Sequence, residues 1–374
     1  MRFMLIIPML FVASPYSGLY AQCTLPATGA TQCSDENGWA PCPVLGFPGQ
    51  DAETAYNQLS YTLVSAVPGQ ETVIDNNTGL EWTQISFPDM SWQEALQFCD
   101  TLNWGGKDDW RLPNVKELQS IVDYGRFNPP IDPIFICPAD LFWTSTTASL
   151  WVLDGRTAYA ADAVGFGAGH LGQRSKWEEN CVRPVRGCPG GFGCSLPATG
   201  QHDCFDNDSS EPCPVEGFPN QDAENIYNDM TYSLDSSVPG EETILDGITG
   251  LEWSQHVWEE VTWQEALRLC DTLHWGGHDD WRMPNLKELQ SIALYQGWEI
   301  PDIFGDAWWW EFWSSTTYAP VPDYAWVHGY TEWGQYEGGS KTNGNHDVRP
   351  VRWCGESPTS TERSSWGSLK KMFR

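Results

Sequence analysis

Basic side chains are scarce in this chain of 374 residues, with 20 Lys and Arg against 50 Asp and Glu and a formal charge of -30. Such an imbalance opposes binding to nucleic acid, heparin-like polyanions or an anionic membrane surface, so no nucleic-acid partner is expected. Beyond residue 21 no run of about 18 apolar residues occurs, and no transmembrane segment is expected. Paired Cys-x-x-Cys knuckles of the zinc-ribbon kind are missing. Histidine is thin as well. Of His170, His202, His256, His274, His278, His328 and His346, only His170 precedes residue 189, so a duplicated histidine metal or catalytic site is not expected.

Tryptophan, in contrast, is abundant: 22 residues, where about 5 are ordinary for this length. Gly (35) and Pro (26) are plentiful too, which describes a turn-rich chain too aromatic to be disordered. The length suits two or three domains. Met1-Arg2-Phe3, the apolar stretch Met4 to Ala13 and the small residues around Gly18 and Ala21 read as a secretory signal peptide over 1–21. All 12 cysteines follow it, an even count that in an exported chain indicates a disulfide framework.

The chain is one module written twice. CTLPATG and CSLPATG open the copies, and APCPVLGFPGQDAE answers EPCPVEGFPNQDAE. DTLNWGGKDDWRLPNVKELQSI answers DTLHWGGHDDWRMPNLKELQSI, FWTSTT answers FWSSTT, and VRPVRGC answers VRPVRWC. The first module spans 22–188, the linker PGGFG spans 189–193, and the second module spans 194–354. A polar, partly basic tail, 355–374, lacks aliphatic periodicity and is expected to be disordered.

Ser91 with Glu94, and Asn114 with Glu117, are capping-box patterns that predict a helix from Trp92 to about Asn103 and a second from Asn114 toward Tyr124. Thr262 with Glu265 and Asn285 with Glu288 repeat them. Short strands should follow at Phe142–Thr147, Trp151–Leu153 and Val182–Arg186, and at Phe312–Thr317, Tyr324–His328 and Val348–Arg352. The order predicts an α+β module with a small antiparallel sheet and long, disulfide-braced loops.

Arg111 and Arg282 are expected to pair with a carboxylate such as Asp109 or Glu117, because an unpaired buried guanidinium is costly. Arg183 and Arg186 read as scaffold. The FWTSTT hydroxyls have no accompanying base, so no nucleophile is assigned and no enzyme is expected. Trp308, Trp309 and Trp310, near Trp298, are the candidate binding face: indoles stack on sugar rings or other partners, and Asp306 and Glu311 can accept hydroxyl hydrogen bonds. Asp203, Asp206, Asp208 and Glu211, with Asp35 and Glu36 at the matching place, carry oxygens of the kind calcium takes. They match no complete calcium loop, and an acidic turn is expected with no cofactor.

Cys33 with Cys42 and Cys204 with Cys213 are the expected local clips. Cys137 and Cys181 occur only in copy one and are expected to form an additional bridge. Either Cys23 joins Cys188 with Cys99 left as a buried thiol, or Cys99 joins Cys188 with Cys23 spare and able to meet Cys194.

TGLEW, the helix ending just past Cys99, DWRLPNVKEL, FWTSTT and VRPVRG together resemble the Lcl C-terminal domain family, a bacterial exported domain named after a collagen-like adhesin. The resemblance covers both copies, and LPATG and GQDAE resemble the leader often found before that domain. It implies tandem C-type-lectin-like modules, related to formylglycine-generating-enzyme-like ones through the RLPN string at Arg111 to Asn114. Binding of sulfated glycans through basic surfaces does not carry over to so acidic a chain. Pro184 and Pro350 stand where relatives often carry a cysteine. The expected function is that of an exported, noncatalytic binding or adhesion protein of a bacterial periplasm or surface, recognising a glycan or protein partner. The alternatives are an envelope protein whose modules only assemble, oligomers included, and, on fold analogy alone, an enzyme.

Overall fold

The computed structural model describes residues 25–35, 37–54, 56–153, 156–187, 196–297, 299–305, 311–330, 335–336, 338–342, 344 and 346–353. Copy one runs β1 (Cys33–Asp35), β2 (Gly38–Ala40), α1 (Asp51–Thr54), β3 (Tyr61–Val64), β4 (Thr72–Asp75), β5 (Glu81–Thr83), β6 (Phe87–Met90), α2 (Trp92–Thr101), α3 (Val115–Ser120), β7 (Leu141–Leu153), β8 (Arg156–Gly165), β9 (His170–Ser175), β10 (Asn180–Val182) and β11 (Val185–Arg186). Copy two runs β12 (Cys204–Phe205), β13 (Ser210–Glu211), β14 (Tyr232–Asp235), β15 (Thr243–Asp246), β16 (Leu251–Ser254), β17 (Trp258–Val261), α4 (Trp263–Thr272), α5 (Leu286–Ser291), β18 (Glu311–Thr317), β19 (Ala325–Gly329), β20 (Gln335–Tyr336), β21 (His346–Val348) and β22 (Val351–Trp353). A single 3-10 turn, Asp222–Glu224, stands in copy two where α1 stands in copy one.

Besides the two-stranded hairpins β1–β2 and β12–β13, the strands form four small sheets. In copy one the orders are β11-β5-β4-β3 and β6-β10-β7-β8-β9; in copy two they are β14-β15-β16-β22 and β17-β21-β18-β19-β20. Each five-stranded sheet contains one parallel pair, with Cys181 opposite Phe142 and Asp347 opposite Phe312. The expected α+β, C-type-lectin-like modules with one small antiparallel sheet are therefore corrected: the chain is mostly β, two sheets to a copy, with little helix. Strong capping signals drew attention to the helices, yet α3 and α5 have only six residues each. The strands β3 to β6 are three or four residues long, too short to impose a clear alternation on the sequence.

The capping boxes themselves form. Asn114 and Asn285 each accept the backbone N–H of the glutamate three residues on, and that glutamate reaches back to the asparagine N–H. Such a cap is worth about 1 kcal/mol. The apolar faces of α2 and α4 bury Trp92, Ala95, Leu96 and Cys99, and Trp263, Ala266, Leu267 and Cys270.

The leader of each copy packs largely on the other copy. Phe47 of the first leader joins the core of Trp263, Leu267 and Trp313, while Phe218 of the second joins that of Trp92, Leu96 and Trp143. A third core runs through both copies, from Val73 and Trp82 to Ile244 and Trp253. The tandem is thus interlocked. Gly29 shows why the LPATG string ends in glycine: its φ is +89°, and a Cβ there would stand 2.1 Å from Asp123 Oδ1.

Candidate functional site

Several buried polar residues shared by the copies hold this exchange together. Arg111 donates two hydrogen bonds to Glu117, both 2.6 Å, and Arg282 repeats the fork with Glu288 at 2.7 and 2.5 Å. Both glutamates are fully buried. Each also accepts a tyrosine hydroxyl from the opposite leader, Tyr227 on Glu117 at 2.6 Å and Tyr56 on Glu288 at 2.5 Å. The arginines accordingly pair as expected.

Asp51 and Asp222 work as a second matched pair. Asp51 accepts hydroxyls of Thr28 in its own leader and Thr316 in copy two, at 2.5 and 2.7 Å; Asp222 accepts those of Thr199 and Thr146, at 2.7 and 2.6 Å. Burial lifts both carboxyls to about 6, although the threonine bonds pull the other way.

At the junction of α3 and α5, two buried lysines reach across. Lys116 Nζ donates to Ala198 O and Ser291 O at 2.7 and 2.8 Å, and Lys287 Nζ to Ala27 O and Ser120 O at 2.8 and 2.7 Å. Each ammonium therefore binds the last carbonyl of the opposite short helix, where cations are favoured. Burial pushes Lys287 down to about 7 and Lys116 well below its usual range.

Arg183 and Arg186 are scaffold too. Arg183 donates to the carbonyls of Thr83, Gln84 and Ile136. Arg186 spans Asp109 and Glu81, and Lys107 also binds Glu81. Burial raises the Glu81 carboxyl, but bonds from Lys107, Thr72 and Arg186 outweigh it and leave the group below its usual value.

A candidate binding surface lies on copy one. An open recess of about 700 Å³ lies along α2, with Asp89, Glu94, Asp100 and Glu179 supplying carboxylates and Met90 and Phe98 an apolar wall. Trp177, two residues before Glu179, is 66% exposed. Sequence reasoning missed this recess because its residues come from β6, α2 and the β9–β10 turn, and no local spacing joins them. Only the acidic character of the chain hinted at it.

Of the residues expected to bind, Trp298, Asp306, Trp308, Trp309 and Trp310 lie outside the described residues. Glu311 begins β18 and its Oε2 is 3.0 Å from His346 Nδ1, an imidazole packed edge-on against Trp313. Burial lowers the His346 pKa, while Glu311 opposes that shift. Three carboxylates of the second leader accept hydrogen bonds from the chain: Asp206 from the N–H groups of Asp208 and Ser209, Glu211 from the Ser209 hydroxyl, and Asp203 from the amide of the distant Gln296. Glu36 lies outside the described residues.

Disulfides join Cys33 to Cys42 and Cys204 to Cys213. Cys99 and Cys270 are buried and outside any disulfide, so Cys99 does not bridge to Cys188; Cys23, Cys188 and Cys194 are outside the described residues. The expected bridge between Cys137 and Cys181 is corrected, for both are free. Cys181 Sγ turns instead to Asp89 Oδ1 at 3.3 Å, and Cys137 Sγ to the carbonyl of Pro138 at 3.2 Å.

A duplicated, interlocked β protein with clipped leaders defines the class. The chain matches the Lcl C-terminal domain over residues 71–186 and 242–352, and it belongs to that family. Comparison with curated proteins gives no match, and comparison with solved structures gives none. No helix among the described residues is long and apolar enough to cross a membrane.

Proposed function

We propose that this is an exported, noncatalytic binding or adhesion protein, acting in the periplasm or at the surface of a bacterium on a glycan or protein partner. The observation that carries the reading is the acidic recess along α2, whose volume suits a small ligand or the end of a larger one. Its carboxylates accept hydrogen bonds from sugar hydroxyls or from cationic side chains of a protein, and Phe98 and Trp177 offer flat apolar surface. The noncatalytic part is supported by the use of the repeated aspartates and lysines as contacts between the copies and of the repeated arginines as contacts inside each copy. The two disulfide clips agree with an oxidising compartment. Trp308 and Trp310 are proposed as a second face, with Asp306 and Glu311 beside them.

The test is a glycan array and a pull-down from envelope extract with the wild-type chain and with Glu94→Gln/Asp100→Asn, Trp177→Ala, and Trp308→Ala/Trp310→Ala. The recess variant should lose at least tenfold in affinity for whatever the wild type retains. Unchanged binding by the recess and Trp177 variants would remove this site, and unchanged binding by the tryptophan pair would remove the second face.

A further inference from the structure

One cluster lies outside the interlock and shares only Asp89 with the recess along α2. β6, β10 and β7 lie side by side, and at one end of this trio Asp89, Cys181 and Asp140 converge, from β6, from β10 and from the residue just before β7. One ligand atom from each, two carboxylate oxygens and a sulfur, lie within 4.8 Å of one another, the one such set among the described residues. A second thiol, Cys137, is within electrostatic range of both Cys181 and Asp140.

The composition of this set points to a cation. Several other carboxylates of the chain are paired with arginine or lysine, as at Glu117 with Arg111, Glu81 with Lys107 and Arg186, and Glu252 with Arg352, whereas here the nearby Arg183 lies within range of the thiols of Cys137 and Cys181. Among the described residues no lysine, arginine or histidine is ion-paired with Asp89 or Asp140. The other copy has dismantled the arrangement. Asp347 stands where Cys181 stands, opposite the matching phenylalanine, and accepts the backbone N–H of Glu260, the counterpart of Asp89, at 3.0 Å. A sulfur, two carboxylates and a second thiol, drawn from separate segments and confined to one copy, are neither a solvated acidic turn nor a stray cysteine.

We infer that Cys181, Asp89 and Asp140 form a site for a borderline divalent cation of the zinc type, with Cys137 or water completing a four-coordinate shell. Binding replaces the Cys181 S–H bond by a sulfur–metal bond and releases that proton to solvent, with no change in oxidation state. The site closes the end of the β6–β10–β7 trio and shares Asp89 with the recess, and metal binding is read out separately from any glycan or protein binding there.

Cobalt(II) serves as the probe on the full chain, purified with and without reductant. The reduced wild type should bind one Co²⁺ and show a near-ultraviolet thiolate-to-cobalt absorption band. Cys181→Ser should abolish the band, while Cys270→Ser, which removes a buried thiol of copy two, should keep it. Asp89→Asn and Asp140→Asn, both at exposed positions, should weaken binding at least tenfold, on the order of what loss of a supporting ligand costs. Absence of binding by the reduced wild type, a band that survives Cys181→Ser, or recovery of Cys137 and Cys181 as a disulfide from protein kept free of reductant would each overturn the assignment.

Discussion

Asp51 and Asp222 show how a buried acid writes a pH signature into stability. In the fold their carboxyls titrate at about 6, against an ordinary 3.8. Between about pH 4 and 6 the folded chain keeps protons that the unfolded chain has lost, so stability falls as pH rises through that window and is level above it. Each group accounts for on the order of 3 kcal/mol. Lys287 acts in the opposite sense: burial moves it from 10.5 to about 7, the unfolded chain retains its proton over that range, and stability climbs from pH 7 toward 10. Thermal melts against pH should therefore pass through a minimum near neutrality. Asp51→Asn/Asp222→Asn should make the decline on the acid side shallower, Glu53 carrying part of what remains, and Lys116→Met/Lys287→Met the alkaline rise, which Lys176 and Lys341 share. Asp162 extends the same reasoning. It is fully buried, neither carboxylate oxygen has a hydrogen-bond partner among the described residues, and its pKa is driven well above the usual range by burial. Copy two has Trp326 two positions before His328, as Asp162 comes two before Val164 in the matching strand, and there the residue is an aromatic core member. Asp162→Leu should raise the melting midpoint, by about 1–3 kcal/mol in stability.

Among the elements, α3 and α5 carry more than their six residues suggest. Each presents a glutamate to an arginine of its own copy, a lysine to the end of the other helix, and a seat for the other leader's tyrosine. Tyr227→Phe leaves a fully buried Glu117 oxygen short of one donor, and chemical denaturation should show a loss of about 1–3 kcal/mol. The hairpins β1–β2 and β12–β13 are closed by disulfides that span nine residues, and loop closure of that size stabilises by roughly 3 kcal/mol. Reduction should lower the melting midpoint without changing the sheet content seen by circular dichroism below it. These elements differ in how far they could be read in advance. The helix starts were legible because a capping box is a contact over three residues, and the clips because their cysteines are close in sequence. The strands β3 to β6 and the pairing of β10 beside β7 were not, since their partners lie far along the chain.

For the whole molecule, the exchange of leaders changes what the short linker at 189–193 does. Two independent modules would separate once that linker was cut. Here Phe47 and Phe218, two tyrosine–glutamate contacts and two lysine clamps hold each half against the other. A protease site inserted between residues 189 and 193 should give two fragments on a denaturing gel and one particle of full mass by native mass spectrometry. Appearance of free halves at micromolar concentration would contradict the interlock.

The duplication, the helix caps, the family and the local disulfide clips were all determined by the sequence alone, because each is a pattern in consecutive or nearly consecutive residues. That Arg111 would find a carboxylate also followed from sequence, since burial of a lone guanidinium is prohibitive. Which surface each leader covers, the two-sheet architecture of a copy, the free thiols of Cys137 and Cys181, and the gathering of carboxylates along α2 and around Cys181 were decided only in three dimensions. Their members are tens to hundreds of residues apart, and contacts at that range are selected by the joint packing of the whole core, which no local periodicity records.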